Sequence, residues 1–296
     1  MPNRKNLIQY MKNYLYLLPL VALVLFLFLY PISYAVYISF TNFSVEHFFK
    51  YSFVGLYNYA VALSSGVLTS IIEQTLIWTV GSIAAMVTMG LILAIILNQH
   101  GFRFRKPMFV LMLFPWAFPA FISLLVWEGM WNYEYGIINK LLGLIGIGAV
   151  NWFNSTPTAW ILLIVTNLWL SFPYYTAVFL SMLQSIPNEY FEAARVDGAS
   201  TLQQFRSITV PVLKQGLAFI ILSGFIFTWN NFYPIYLLTG GAPGISTDIL
   251  TVYSYQQAFS YDFYGLGAAY SIISTVILAV MAIVMIKYTK MLEVIT

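Results

Sequence analysis

The sequence predicts an all-α membrane protein with six transmembrane helices, and three observations predict it. Of 296 residues, 60% are hydrophobic and only 8% are charged, against about 25% charged in a soluble domain. Several apolar runs reach the ~20 residues that span a hydrocarbon core. With no water in lipid to satisfy backbone N–H and C=O groups, such runs must be helical. The basic residues also fall in alternate inter-span segments, as they do when a chain crosses a membrane repeatedly.

The spans are expected at Tyr14–Ser39, Thr69–Leu97, Met108–Trp127, Ala159–Leu183, Gly216–Leu238 and Gly265–Tyr288. The first is too long for a signal-peptide core and is followed by no clear small-residue cleavage site, so it is expected to be retained. Arg4, Lys5 and Lys12 precede it. Arg103, Arg105 and Lys106 lie between the second and third spans. Arg195, Arg206 and Lys214 lie between the fourth and fifth, and Lys287 and Lys290 end the chain. Only Lys50 and Lys140 fall on the other side, so eleven of thirteen basic residues share one face. The positive-inside rule makes that face, with both termini, cytoplasmic. The expected organisation is a cytoplasmic N-terminus (1–13), a six-helix membrane domain (14–290) and a cytoplasmic tail (291–296).

Pro115 and Pro119, Pro173, and Pro234 interrupt spans. Such breaks are ordinary packing kinks or mark a substrate path. Two Asn-X-Ser/Thr sequons, at Asn42 and Asn154, match a pattern short enough to arise by chance.

The absence of cysteine excludes disulfides, thiolate metal sites and cysteine nucleophiles. His47 and His100 both fall in loops and make a poor metal pair. No GxxxxGK[ST] phosphate loop occurs, so the chain is not itself an ATPase. No Lys or Arg lies in the middle of a span, which argues against a phosphorylated or strongly anionic cargo. No buried acid suited to proton coupling is visible, Glu73 and Glu128 falling near the outer ends of spans. Asn167, Ser171 and Tyr174 follow helical spacing and share a face. Asn230 and Asn231 sit in an apolar run, where an unpaired amide is costly. They need either another helix or a ligand hydroxyl as partner. Trp169, Phe172 and Trp229 offer flat apolar faces for a ligand or for packing.

The longest polar cytoplasmic segment is 185–213. Pro187 suits a first helical turn, and "NEYFEAARV" follows with acids early and Arg195 late, matching the helix dipole. Asp197-Gly198 should end that helix in a left-handed turn. Thr201 with Gln204 gives a capping-box pattern. Leu202, Phe205 and Ile208 form one apolar face, and Pro211 is expected to stop the helix. Two short helices joined at Gly198 form either a hairpin on the inner leaflet or a joint to a partner. A membrane-surface helix usually carries more Lys and Arg, which favours the partner.

"EYFEAARVDGASTLQQFRSITVPVL" resembles the EAA loop of permease subunits of binding-protein-dependent ABC importers. The matching residues are Glu192, Ala193, Ala194, Gly198, Ile208 and Pro211, with Asp197 beside the glycine. "FVGLYNY", "FPWAFPAFISLLVW", "EYGIINKLLG" and "LLTGGAPGISTDILTVYSYQQAF" resemble the carbohydrate uptake class, in particular F-type subunits of maltose-transporter-like systems. Members of that family with extra N-terminal spans and a large outer domain have no counterpart here, where the first outer loop is short.

The resemblance implies a type I importer permease fold with the loop docked on an ATPase subunit. It implies four further partners: a G-type second permease, two ATPase subunits and an extracytoplasmic solute-binding protein. ATP and Mg would be used by the ATPase, with no cofactor in this chain, no enzymatic activity of its own and no nucleic acid among its partners. The setting implied is a prokaryotic cytoplasmic membrane, and the cargo a neutral sugar. The sugar-site positions carried over are Ala120, Asn167, Leu170, Ser171, Tyr174, Gly224, Thr228 and Asn231. Asn167, Leu170, Tyr174 and Asn231 keep the side chains of a maltose site. The other four depart from it, so the sugar or its orientation differs. An ABC permease for another solute, an ion-coupled secondary carrier and a scaffold protein are the competing readings. The second needs titratable groups at mid-membrane or an internal repeat. The third predicts tolerance to change at Asn231 and Tyr174.

Overall fold

The computed structural model describes residues 16–99 and 103–289. The terminal segments 1–13 and 291–296, with Arg4, Lys5, Lys12, Lys290 and His100, lie outside the described residues. The described residues are helical apart from loops and one isolated bridge between Thr41 and Phe53. They divide into two units.

The first unit comprises 16–65 and 254–273. Helix α1 (Tyr16–Ser39) is one continuous apolar span. Within it, Leu25–Leu29 form a π turn directly ahead of Tyr30-Pro31, and the Tyr30 N–H reaches Leu25 O five residues back. A proline removes one helical donor and crowds the carbonyl four residues before it. The wider turn takes the chain past Pro31 without a break. Helix α2 (Tyr57–Ser64) follows. In "FVGLYNY", Asn58 is buried and its Nδ2 donates to Ser39 O and Thr41 O, both at 2.8 Å. This amide ties the end of α1 to the loop after it. Phe43, Phe48 and Tyr51 pack with Tyr264 across the same loop.

The second unit comprises 66–253 and 274–289. Its centre is the crossing of α3 (Val67–Leu97) and α7 (Thr156–Gln184). Gly90 lets the two backbones meet. A Cβ there would lie 2.5 Å from Tyr175 Cβ and 2.9 Å from its carbonyl carbon. Around this crossing lie two apolar clusters. One is built on Trp78, Trp131, Trp152 and Trp160, the other on Met86, Tyr175, Phe179 and Leu183.

Four helices, α1, α3, α7 and the last helix α13 (Tyr264–Thr289, shared by the two units), are individually long and apolar enough to cross a membrane. Two expected spans are not continuous. The third becomes α4 (Arg105–Met112), a 3₁₀ turn at Phe114–Ala117, and α5 (Ala120–Met130). Pro119 forces its predecessor Phe118 into an extended conformation, φ −119°, ψ 147°. Helix α6 (Ile137–Leu144) follows, anchored by buried Asn139. Its amide donates to Tyr133 O and Val150 O and accepts from Val150 N and the Trp152 indole.

The fifth expected span begins earlier and breaks in the middle. Helix α8 (Asn188–Val196) leads to α9 (Thr201–Gln204), which runs through a π turn (Phe205–Thr209) into α10 (Val210–Trp229), then α11 (Phe232–Leu238). Pro211 therefore does not stop the helix. Val210 N–H reaches Phe205 O across the π turn, the same device that carries α1 past Pro31. The stretch is bent by 49° between Lys214 and Gly216, and counts as a fifth span if the two arms are taken together. Helix α12 (Leu250–Tyr255) completes the order before α13.

The Gly90 crossing predicts that Gly90→Val destabilises the protein by about 1–3 kcal/mol through overpacking against backbone. Thermal unfolding of the detergent-solubilised chain checks this; an unchanged midpoint would contradict the close approach.

Candidate functional site

The break between α10 and α11 originates at Pro234. Having no N–H, Pro234 cannot bond Asn230 O, and its ring crowds that carbonyl. Asn230 O instead accepts from Phe232 N at 2.9 Å, and Asn231 leaves helical geometry at φ −78°, ψ 84°. The proline thus acts four residues upstream of itself. The Thr228 carbonyl, at the buried C-terminal end of α10, accepts from Asn231 N and from the buried Trp78 indole, at 3.1 and 3.0 Å.

This geometry puts Asn231 against Asn167. Asn231 Nδ2 donates to Asn167 Oδ1 at 3.1 Å. Asn167 is 1% exposed, and its own Nδ2 has no hydrogen-bond partner. A buried donor left unsatisfied costs about 1–3 kcal/mol. Helix α7 supplies Asn167, Leu170, Ser171 and Tyr174 at i, i+3, i+4 and i+7, hence on one face. Leu170 and Ser171 are half-buried, and Tyr174 is exposed. Pro173 deprives this helix of one internal donor. Nearby, the Trp116 indole, from the broken third segment, donates to Leu170 O at 3.0 Å. Ala120 begins α5 and is exposed. Gly224 and Thr228 are buried. A Cβ on Gly224 would collide with the Tyr175 hydroxyl, so that glycine makes room for a neighbouring helix.

The structure brings Asn167 and Asn231 together, and on the same helix as Asn167, Trp169 has its ring against Trp127 and Phe172. Gly224 and Thr228 are engaged in packing α10, while Ala120 and Tyr174 are open. Three contributors were not visible in the sequence: Trp78, Trp116 and Tyr175. Only Trp116 had a signal, its place between Pro115 and Pro119. Asp248 is a buried acid that the sequence did not single out. It is 1% exposed, in the loop between α11 and α12, with its carboxylate over Gly241, whose φ is +91°. It belongs to a loop rather than to a spanning helix. Glu73 and Glu128 are exposed.

The second candidate element is the loop 185–213. Helix α8 is capped by Pro187 at the N-cap, not at the first helical position. Gly198 has φ +76°. Ala199 N–H bonds Ala194 O at 2.9 Å, and Gly198 N–H bonds Arg195 O at 3.1 Å. These two bonds make a Schellman motif, whose left-handed residue favours glycine. The next capping box is formed by Ser200 with Gln203, one residue before the expected Thr201–Gln204 pair. Ser200 is the residue in extended conformation, so its hydroxyl accepts from Gln203 N–H while the Gln203 side chain reaches back to accept from Ser200 N–H. Glu192, Ala193, Asp197 and Gly198 are exposed and Ala194 half-buried. Among the described residues no cluster of three metal-ligating side chains occurs.

A bundle broken at mid-span around a buried amide pair, with a structured polar loop at one end, defines a multi-pass transport permease. A family profile described as "Binding-protein-dependent transport system inner membrane component" matches residues 86–292, and the chain belongs to that family. The trehalose/maltose transport system permease protein MalF of Thermococcus litoralis is 34% identical over 275 residues, 93% of this chain and 92% of that one. The galactooligosaccharides transport system permease protein GanP of Bacillus subtilis is 32% identical, across 92% of this chain and 68% of its own length. Among solved structures, a bacterial ABC transporter involved in the import of the acidic polysaccharide alginate superposes with a TM-score of 0.83 over 97% of both chains. Its 20% identity makes this a likeness of fold.

The Asn167–Asn231 bond predicts that a double-mutant cycle with Asn167→Leu and Asn231→Leu returns a coupling energy of about 0.6 kcal/mol, and at most about 1.7 kcal/mol. Chemical or thermal unfolding in detergent measures it; additive effects would place the two amides apart.

Proposed function

We propose that this chain is the six-span permease of an ATP-driven, binding-protein-dependent importer for a neutral sugar of the maltose or oligosaccharide kind. It forms half of the translocation path, with both termini cytoplasmic. The observation that carries this reading is the buried amide pair: Asn167 Nδ2 is a donor without an acceptor, at a helix break, where a sugar hydroxyl would satisfy it. Helix α7 and residues 215–238 contain no charged side chain, which favours a neutral cargo over an anionic one. The relatives' named cargoes, trehalose, maltose and galactooligosaccharides, point the same way.

The partners proposed are a G-type second permease, an ATPase dimer holding ATP and Mg, and an extracytoplasmic binding protein. The loop 185–213 would dock on the ATPase through Glu192, Ala193, Ala194, Asp197 and Gly198. Their exposure leaves them available, and the Schellman turn holds α8 at a fixed angle to α9. ATP-driven closure pushing on α8 would pass through α9 and the π turn into α10, and so to the break at Asn231. Alternating access is then a rocking of two permeases around that site.

Two outcomes test this. Reconstituted with its partner subunits, the complex should show ATPase activity stimulated by one or more neutral oligosaccharides. Gly198→Pro, which removes an N–H and forbids a positive φ, should abolish that stimulation while the complex still assembles. Persisting stimulation in Gly198→Pro would defeat the coupling role. Asn231→Leu should alter the half-saturating concentration or the choice of sugar; unchanged kinetics across the whole panel would remove Asn231 from the site.

A further inference from the structure

The face that carries the loop also holds a cavity of about 950 Å³ between the C-terminal end of α3, the start of α4 and helices α8 and α9. Arg103, Arg105 and Arg195 line it, with the amides Asn98, Gln99 and Gln184. None of its lining residues is acidic. Three guanidinium groups gathered in one concavity repel each other, and among the described residues no carboxylate pairs with any of them. Like charges around an unneutralised concavity attract an anion.

The arginines are also oriented. Arg105 is half-buried and donates one terminal N–H to Asn98 Oδ1 at 3.1 Å. Arg195 donates Nε–H to Phe191 O at 3.2 Å, one turn back on its own helix, leaving its terminal nitrogens for another acceptor. Planar guanidinium forks match phosphate oxygens in a bidentate fashion. The volume exceeds what a bare phosphate needs, and Leu183 and Phe205 give it apolar walls beside the amides. Such a lining suits a phosphate ester with a short polar body. Basic pockets between spans on the inner face of a membrane hold lipid headgroups of this kind.

We propose that this cavity is a binding site for a phosphate ester, either the headgroup of an anionic phospholipid or a soluble phosphorylated metabolite. Arg195 belongs to helix α8 and Arg105 to the segment after α3, so a bound phosphate bridges the loop to the transmembrane body. It would stiffen the element that the proposed function assigns to coupling. The proposal rests on that reading for its consequence but not for its chemistry, and binding is measured without sugar or ATPase.

The test uses the full chain, delipidated in neutral detergent. Glycerol 3-phosphate is titrated at constant ionic strength while thermal unfolding is followed. In parallel, native mass spectrometry of chain taken from phosphatidylcholine–phosphatidylglycerol nanodiscs reads retained lipid. Saturable stabilisation by glycerol 3-phosphate, or selective retention of phosphatidylglycerol, supports the site, and which arm responds identifies the source. In either arm the affinity should fall by about tenfold or more for Arg195→Gln, the loss expected for one charge-assisted pair. Arg103→Gln, exposed at the rim, serves as a second variant should Arg195→Gln fail to fold. The proposal is overturned if neither probe binds, or if both arginine variants bind as the unaltered chain does. It is equally overturned if added ATPase subunit displaces the probes by placing an acidic side chain on these arginines.

Discussion

In an apolar medium a carbonyl without a donor has no water to turn to, and this constraint organises the second unit of the structure. Prolines at 173 and 234 remove helical donors from α7 and α11, and carbonyls near these prolines are met from neighbouring segments. The Trp116 indole takes Leu170 O, and the Trp78 indole takes Thr228 O. Tryptophan suits the task, since it carries a single N–H donor on a large apolar body; the Trp78 ring is fully buried, while that of Trp116 is half exposed. The Thr228 carbonyl, which also accepts from Asn231 N, is thereby fully engaged where α10 ends. Asn231 sits just past that end, so its bond with Asn167 is a consequence of how the break is satisfied.

At two other prolines a different device appears. Before both Pro31 and Pro211 the helix widens into one π turn, with a bond five residues back at Tyr30 and at Val210. In the second case the π turn joins α9 to α10, in a stretch that then bends by 49° between Lys214 and Gly216. A helix that stopped at Pro211 would leave α8 and α9 as a separate hairpin. The π turn instead carries α9 into α10, whose C-terminal end precedes Asn231.

The helical class, the approximate limits of the long spans and the turn at Gly198 were legible in the sequence, because hydrophobic run length and glycine chemistry are local properties. The amide pair was half-legible. Asn167 and Asn231 stood out as costly residues in apolar runs, yet whether they paired with each other or with something else depended on a bend. The misses share a cause. Pro119 and Pro234 were visible, but a proline disrupts the carbonyl four residues back, so the break fell at Asn230–Asn231 rather than at Pro234. Pro211 was expected to stop a helix because the compensating π turn has no sequence signature. Gly224 drew attention as a site position, whereas its neighbour across the interface, the Tyr175 hydroxyl, gives it a packing reason that only the fold reveals. Asp248 was passed over because a loop acid is ordinarily exposed, and its burial depends on Gly241 adopting φ +91°.

The account turns on the broken α10–α11 helix presenting Asn231 and Asn167 to a cargo. The most direct measurement is the structure of the assembled transporter with a neutral oligosaccharide trapped in the membrane. The account predicts a sugar hydroxyl within hydrogen-bonding distance of Asn167 Nδ2, with the 3.1 Å Asn167–Asn231 bond opened or shared. A sugar bound elsewhere along the path, with that amide pair intact and Asn167 still sealed in protein, would contradict it.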